Sequence, residues 1–76
     1  MIRIALNVGS ENGVGAGDVV GGILGVSKIP REELGAVHVG ARETLADVAE
    51  DSANLVLKKL NGIRFKGTKL AVKLAQ

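Results

Sequence analysis

The spacing of hydrophobic residues along this chain switches between the period of a strand and the period of a helix. Residues 2–8, IRIALNV, alternate apolar and polar side chains, as a half-buried strand does. Residues 16–26 and 49–62 instead repeat their apolar side chains at helical spacing. Short alternating segments return at 36–39, 43–48 and, after IRF and a Lys-Gly turn, at 68–74. The predicted order is therefore strand, helix, strand, strand, helix, strand.

This order predicts an α+β fold of the split βαβ type, in which two helices cover one face of a four-stranded antiparallel sheet. With 76 residues there is room for one small domain, which we take to span residues 1–76. Within the helix of residues 16–26, Gly21, Gly22 and Gly25 each lower helix propensity. We expect these glycines to allow close packing of the helix against the sheet.

The amino-acid composition indicates the cellular compartment of the protein and its relation to membranes. The chain has no cysteine, which excludes disulfides and cysteine-based zinc sites and favours a reducing, cytoplasmic location. No apolar run is long enough for a membrane span and no signal-peptide pattern is visible. We therefore expect no membrane partner.

Charge is distributed unevenly along the chain. All eight acidic residues lie at or before Asp51, and the part after it carries only basic charges. Such polarity is typical of a protein with an anionic partner, although it also suits a solvated basic edge that protects a terminal strand from aggregation.

The glycine-rich stretch GVGAGD, residues 13–18, invites a nucleotide-binding interpretation. A dinucleotide fingerprint needs G-x-G-x-x-G, and here Asp18 replaces the third glycine, where an acid would repel a phosphate. The Gly-Lys-Ser/Thr of a Walker loop is also missing. The stretch is better explained as a strand-to-helix connection whose acid stabilises the first helical turn.

Catalytic and metal-binding constellations are not apparent. His38 is the only histidine, so it has neither a second histidine nor a cysteine as a partner. The pairs Glu32–Glu33 and Glu50–Asp51 lie at predicted helix starts, which explains them without acid–base chemistry. We therefore predict no catalytic residue, no metal site and no cofactor in this domain.

Several segments carry a resemblance to a known family. The ending LNGIRFKGTKLAVKLA resembles the last helix-to-strand passage of RNA-recognition-motif (RRM) folds. More specifically, RIALNVGSENGVGAGDVVGGI and IPREELGAVHV are similar to the DbpA-type RNA-binding domain found at the C-terminus of bacterial DEAD-box RNA helicases. The shared elements are Asn7-Val8-Gly9, Gly13 through Ile23, and Ile29-Pro30 through Gly35. The similarity runs essentially from end to end.

The resemblance implies an RRM-like βαββαβ sandwich that directs an ATP-dependent helicase to structured RNA, often ribosomal. The domain would be a part of a larger helicase and would itself have no enzymatic activity, because the helicase motifs are absent. ATP and Mg²⁺ would serve only the helicase core, which would be a partner of this domain within the parent chain.

This chain departs from the family at Ala5, Glu43 and Leu45, where relatives often have aromatic residues that stack on bases. The single aromatic, Phe65, is expected in the core or toward the helices. We therefore expect RNA to be bound mainly through backbone electrostatics and shape. The candidate RNA-binding residues are Arg3, His38, Arg42, Arg64, Lys66, Lys69 and Lys73, with Lys28 and Arg31 as second-rank candidates.

Two alternatives remain open at this point. The open sheet face also presents Ala5, Leu45 and Ala71, a small apolar patch that would suit a protein partner or weak self-association. His38 either contacts RNA, by stacking on a base or donating to a phosphate, or is merely a solvated strand residue.

Overall fold

The computed structural model describes residues 1–75. Its strands are β1 (Ile2–Leu6), β2 (Leu34–Val39), β3 (Thr44–Val48), β4 (Arg64–Phe65), β5 (Thr68–Lys69) and β6 (Val72–Leu74). Its helices are α1 (Ala16–Ser27) and α2 (Glu50–Leu60), with short 3-10 turns at Ser10–Asn12 and Arg31–Glu33. The elements predicted up to residue 62 are thus confirmed, with bounds within two residues of the predicted ones.

The main sheet has four strands in the order β2-β3-β1-β6, and every neighbouring pair is antiparallel. Both helices pack on one face of it, which confirms the RRM-like fold. The side chains between sheet and helices form one hydrophobic core, built around Ile4, Leu6, Val8, Val19, Ile23, Ala46, Val48, Ala53, Val56 and Leu60. None of the helices within residues 1–75 is long and apolar enough to cross a membrane.

The last alternating run, residues 68–74, is not the single strand that its pattern predicts. β5 pairs with β4 in a separate two-stranded hairpin, whereas β6 pairs with β1 at the edge of the main sheet. Leu70 and Val72 are buried as expected, but Leu74 is 47% exposed. Leu74 lies opposite Ile4 on β6, an edge strand that has no neighbour on its outer side within residues 1–75.

The glycines of α1 have a different role from the predicted one. A β-carbon at Gly21 or Gly25 would meet no neighbour within 4 Å among the described residues. At Gly22 it would lie 2.7 Å from Cε1 of Phe65, which belongs to the β4–β5 hairpin. The missing side chain of Gly22 therefore leaves room for the ring of Phe65 against α1. Close packing against the main sheet does not explain Gly21, Gly22 or Gly25. Phe65 packs toward the helices, as the sequence predicts.

Candidate nucleic-acid interface

One row of side chains crosses the whole open face of the sheet, the face opposite the helices. His38 on β2 pairs with Leu45 on β3, Leu45 pairs with Ala5 on β1, and Ala5 pairs with Lys73 on β6. The row therefore has an apolar centre with a basic or titratable side chain on each edge strand. It lacks the aromatic residues on which RRM folds usually stack bases.

Arg3 and Asp47 occupy the neighbouring row of this face. They are directly opposite in the β1–β3 register, and Nε of Arg3 donates to Oδ1 of Asp47 at 2.9 Å. The hydrogen bond from Arg3 lowers the pKa of Asp47 below its usual value, because it stabilises the charged form of the carboxyl group. The structure thus places Arg3 on the open face, where it forms an ion pair with Asp47.

Two more predicted candidates also have acidic partners. Nε of Arg42 lies 3.2 Å from Oε1 of Glu11, and Nζ of Lys66 lies 3.6 Å from Oδ1 of Asp18. Both pairs are solvent-exposed and therefore easily exchanged for a phosphate, because exposed ion pairs hold weakly. The sequence pattern could not indicate these pairs, since each joins residues from different elements.

The remaining candidates have no acidic partner within 4.0 Å in the part of the chain that the structure describes: His38, Arg64, Lys69, Lys73, Lys28 and Arg31. All six side chains belong to exposed residues. Among them, Arg64 makes only a long contact of 3.4 Å from Nη1 to the carbonyl oxygen of Gly67. The five Lys and Arg side chains among them are therefore available to a ligand without the loss of an ion pair.

The available cations lie at two different ends of the molecule. We call "hairpin end" the end at which β1 finishes, β3 begins and the β4–β5 hairpin lies. Nδ2 of Asn7, just beyond β1, donates to the carbonyl oxygen of Lys69 at 3.1 Å, which ties the hairpin to this end. Arg64 and Lys69 belong to the hairpin, and Lys73 lies on β6, which starts from the same end.

Lys28 and Arg31 lie at the opposite end, because α1 runs away from the hairpin end and β2 starts where α1 has finished. Acidic residues lie at this end as well. Glu32 and Glu33 lie in the 3-10 turn, and Ser52 near the start of α2 donates to the Glu33 carboxylate. The structure therefore does not bring the second-rank candidates together with the first-rank cations.

Lys58 and Lys59 are additional cations of the hairpin end that were not predicted as candidates. They form the last turn of α2, which leads through Asn61 and Gly62 into the hairpin. Lysines at a helix C-terminus interact favourably with the helix dipole. The sequence therefore gave no separate reason to predict that Lys58 and Lys59 bind a ligand. Only the direction of α2 in the fold places them at the hairpin end.

The apolar patch of the open face is smaller than the alternation predicts. Ala5 is 3% exposed, while Leu45 is half-buried and Ala71 exposed. The surface left for a protein partner therefore consists mainly of Leu45 and Ala71.

GVGAGD forms the connection into α1. The backbone N–H of Gly15 donates to Oδ2 of Asp18 at 3.0 Å, and this bond lowers the pKa of Asp18, with a smaller contribution from Lys66. The carboxylate thus occupies the helix N-terminus that a phosphate would need. Among residues 1–75 no group of three or more His, Cys, Asp or Glu side chains could hold a metal ion.

The family model of the DbpA RNA binding domain matches residues 3–74, nearly the whole chain. No curated protein matches the chain. The family match confirms the resemblance carried by the N-V-G, G-D-V-V-G-G-I and I-P-R-E-E-L-G segments.

Proposed function

The chain belongs to the DbpA RNA-binding domain family and is an RNA-binding module, and from this premise we propose that it directs a DEAD-box helicase to structured RNA. The helicase core, in the same parent chain, supplies the ATP- and Mg²⁺-dependent step. Ribosomal RNA is the proposed target, in the cytoplasm.

One observation supports binding through the RNA backbone: Arg64, Lys69 and Lys73, which have no acidic partner within residues 1–75, lie at the hairpin end, while the open sheet face has no Phe, Tyr or Trp on which a base could stack. The chain contains one Phe and no Tyr or Trp, and that Phe lies against α1. Stacking is worth about 1–3 kcal/mol per base, so the affinity must come from phosphate contacts instead. Arg64, Lys69 and Lys73 are the residues that we assign to them.

This assignment is testable by salt dependence. Four to six phosphate contacts predict that the logarithm of the association constant falls with the logarithm of salt at a slope of about −3 to −5. We expect the Arg64→Gln, Lys69→Gln and Lys73→Gln variants each to weaken binding to a ribosomal RNA stem-loop and to reduce this slope by about 1. Lys58→Gln and Lys59→Gln should act in the same direction.

Lys28→Gln and Arg31→Gln serve as matched controls, because they remove the same charge at the opposite end. Equal losses for both groups would contradict a binding surface at the hairpin end. Absence of binding to any structured ribosomal RNA fragment at about 50 mM salt would overturn the proposal as a whole.

The helicase role needs a separate readout. Fused to a DEAD-box core, the domain should increase RNA-stimulated ATP hydrolysis on RNA that contains the bound stem-loop, relative to RNA without it. A fusion with Lys69→Gln and Lys73→Gln should lose this preference while the activity of the core itself stays unchanged.

A further inference from the structure

Two asparagine–glycine dipeptides of this chain, Asn12–Gly13 and Asn61–Gly62, lie at the hairpin end. The first closes the 3-10 turn that follows β1, and the second connects α2 to the hairpin. Asparagine before glycine is especially prone to spontaneous deamidation, because glycine has no side chain that hinders the approach of its nitrogen to the asparagine amide. The two sites are chemically alike, so only the structure distinguishes them.

The deamidation reaction uses only the two residues and water. The deprotonated backbone nitrogen of the glycine attacks Cγ of the asparagine, and a new N–Cγ bond forms. The Cγ–Nδ2 bond breaks, and Nδ2 leaves as ammonia with a proton from water, which balances the proton lost by the glycine. Water then opens the cyclic imide at either carbonyl group and gives aspartate or isoaspartate. The reaction therefore needs a glycine nitrogen and a side-chain amide that are free to move.

Asn61 is held on all sides by hydrogen bonds. Its Nδ2 donates to the carbonyl oxygens of Leu57 at 2.8 Å and Val72 at 3.0 Å, and its Oδ1 accepts from the N–H of Val72 at 2.7 Å. The N–H of Gly62 donates to the carbonyl oxygen of Leu70, a buried residue, at 3.0 Å. Reaction at Asn61 thus requires the junction between α2, the hairpin and β6 to open.

Asn12 is held much less firmly. Its Oδ1 accepts from the N–H of Gly9 at 3.0 Å, but its Nδ2 makes no hydrogen bond within residues 1–75. The N–H of Gly13 donates to the carbonyl oxygen of Ser10 at 3.0 Å, at the end of an exposed turn of three residues. Exposed bonds at the end of so short a turn open at a small cost in free energy. Opening this one bond frees the attacking nitrogen.

We propose that Asn12–Gly13 is a site of spontaneous deamidation in the native protein, whereas the fold protects Asn61–Gly62 from the same reaction. The new carboxylate lies at the hairpin end and repels the phosphates that Arg64, Lys69 and Lys73 attract. Deamidation of Asn12 therefore lowers the affinity for RNA as the protein ages, and no enzyme is needed. This consequence rests on the proposed RNA-binding function, but the reaction itself does not.

Incubation of the native protein at mildly alkaline pH, followed by tryptic peptide mapping with mass spectrometry, measures both sites in one sample. Trypsin separates the two sites, because it cleaves the chain after Lys28 and Lys59. We expect Asn12 to react about 10-fold or more faster than Asn61, since its hydrogen bonds open at a lower cost in free energy. In urea that unfolds the chain, the two rates should become similar.

Asn12→Gln is the matched control, because glutamine keeps the amide but does not readily form the five-membered ring. Residue 12 of this variant should stay unchanged while Asn61 reacts as slowly as in the native protein. Equal rates at Asn12 and Asn61 in the folded protein would overturn the proposal. So would an Asn12 that does not react in the folded protein during the time in which the unfolded chain is converted.

Asn12→Asp tests the effect on RNA, because it supplies the charge without altering the backbone. We expect it to bind a ribosomal RNA stem-loop about 2-fold more weakly than the native protein at low salt, with a difference that shrinks as salt screens the charge. Asn54→Asp adds the same charge on α2, which begins at the opposite end, and should have a smaller effect.

The two parts of the proposal fail separately from the proposed function. An Asn12→Asp variant that binds the stem-loop as tightly as the native protein would overturn the effect of deamidation on RNA binding. Failure of the native protein to bind any stem-loop would instead overturn the proposed function, while the relative rates at Asn12 and Asn61 still decide whether Asn12 is the reactive site.

Discussion

Single side chains decide which basic residues of this domain are available to RNA. Arg3, Arg42 and Lys66 each have an acidic partner, whereas Arg64, Lys69 and Lys73 have none within residues 1–75. A paired cation must exchange one anion for another, so it gains less from a phosphate than an unpaired one does. Basic residues of equal formal charge therefore differ in how much they contribute to phosphate binding.

Gly21 and Gly22 provide a residue-scale test of the contact between α1 and the hairpin. Both lie inside the helix, so alanine gains about 0.5–1 kcal/mol of intrinsic propensity at either position. At Gly22, however, the new methyl group would meet the ring of Phe65 at 2.7 Å. We expect Gly21→Ala to raise the free energy of unfolding, measured in urea, and Gly22→Ala to raise it less or to lower it.

A Phe65→Ala background provides the control for this comparison. Without the ring, the two glycine substitutions should have the same effect on stability. Equal stabilisation by both substitutions in the native protein would contradict the close contact.

Asp18 gives the stability a predictable pH dependence. Its pKa is lowered first by the hydrogen bond from Gly15 and then by Lys66, so its contribution is complete above the unfolded pKa of about 3.9. It is lost as the pH falls through the lower folded value. We expect Asp18→Asn to be less stable than the native protein at neutral pH, with a difference that shrinks below about pH 4.

Urea unfolding midpoints across this pH range measure the effect. Glu32→Gln is the control, since Glu32 is exposed and forms no ion pair in the described residues. A difference between the native protein and Asp18→Asn that stays constant down to strongly acidic pH would be inconsistent with this role.

Among the secondary-structure elements, the break between β5 and β6 is held by two asparagine side chains. Asn7 binds the backbone of Lys69 and Ala71, and Asn61 accepts from the N–H of Val72 at 2.7 Å and donates to its carbonyl oxygen at 3.0 Å. These amides replace backbone partners that a continuous strand would have. The asparagines of the N-V-G and L-N-G segments are therefore structural in this chain.

Replacing either asparagine should loosen the segment that carries Lys69 and Lys73. We expect Asn61→Ala to cost about 1–3 kcal/mol, because the backbone groups of Val72 that lose their partners are partly buried. Asn7→Ala should cost less, about 0.5–1.5 kcal/mol, because its partners are exposed and can bind water instead. Hydrogen exchange should accelerate at Ala71 in the first variant and at Val72 in the second. The double variant should cost less than the two single effects together, since both brace one segment.

Asn54→Ala is the matched control, because Asn54 is exposed on α2 and makes no side-chain hydrogen bond in the part of the chain that is described. Unchanged exchange rates at Ala71 and Val72 would show that the amides do not hold the break.

In the whole molecule, the uneven distribution of charge along the sequence becomes an uneven distribution in space, because the directions of the strands and helices bring most of the later, basic residues to one end. α2 runs toward the hairpin end and carries its lysines there, while its acidic first turn stays beside Glu33 at the opposite end. Such a charge distribution produces an electrostatic field that favours approach of an anionic ligand from the hairpin end. This asymmetry is why Lys28 and Arg31 are suitable controls for the hairpin-end cations.

The sequence by itself determined the order of the elements, the buried faces of β1, β3 and α2, and the family. These depend on hydrophobic period and on short motifs, which act over a few neighbouring residues. Only the tertiary structure decided which cations are paired, where residues 68–74 break into two strands, and which glycine receives Phe65. Arg3 and Asp47 are 44 positions apart and Asn7 and Ala71 are 64 apart. No local pattern encodes such contacts, because they exist only when distant segments have packed together.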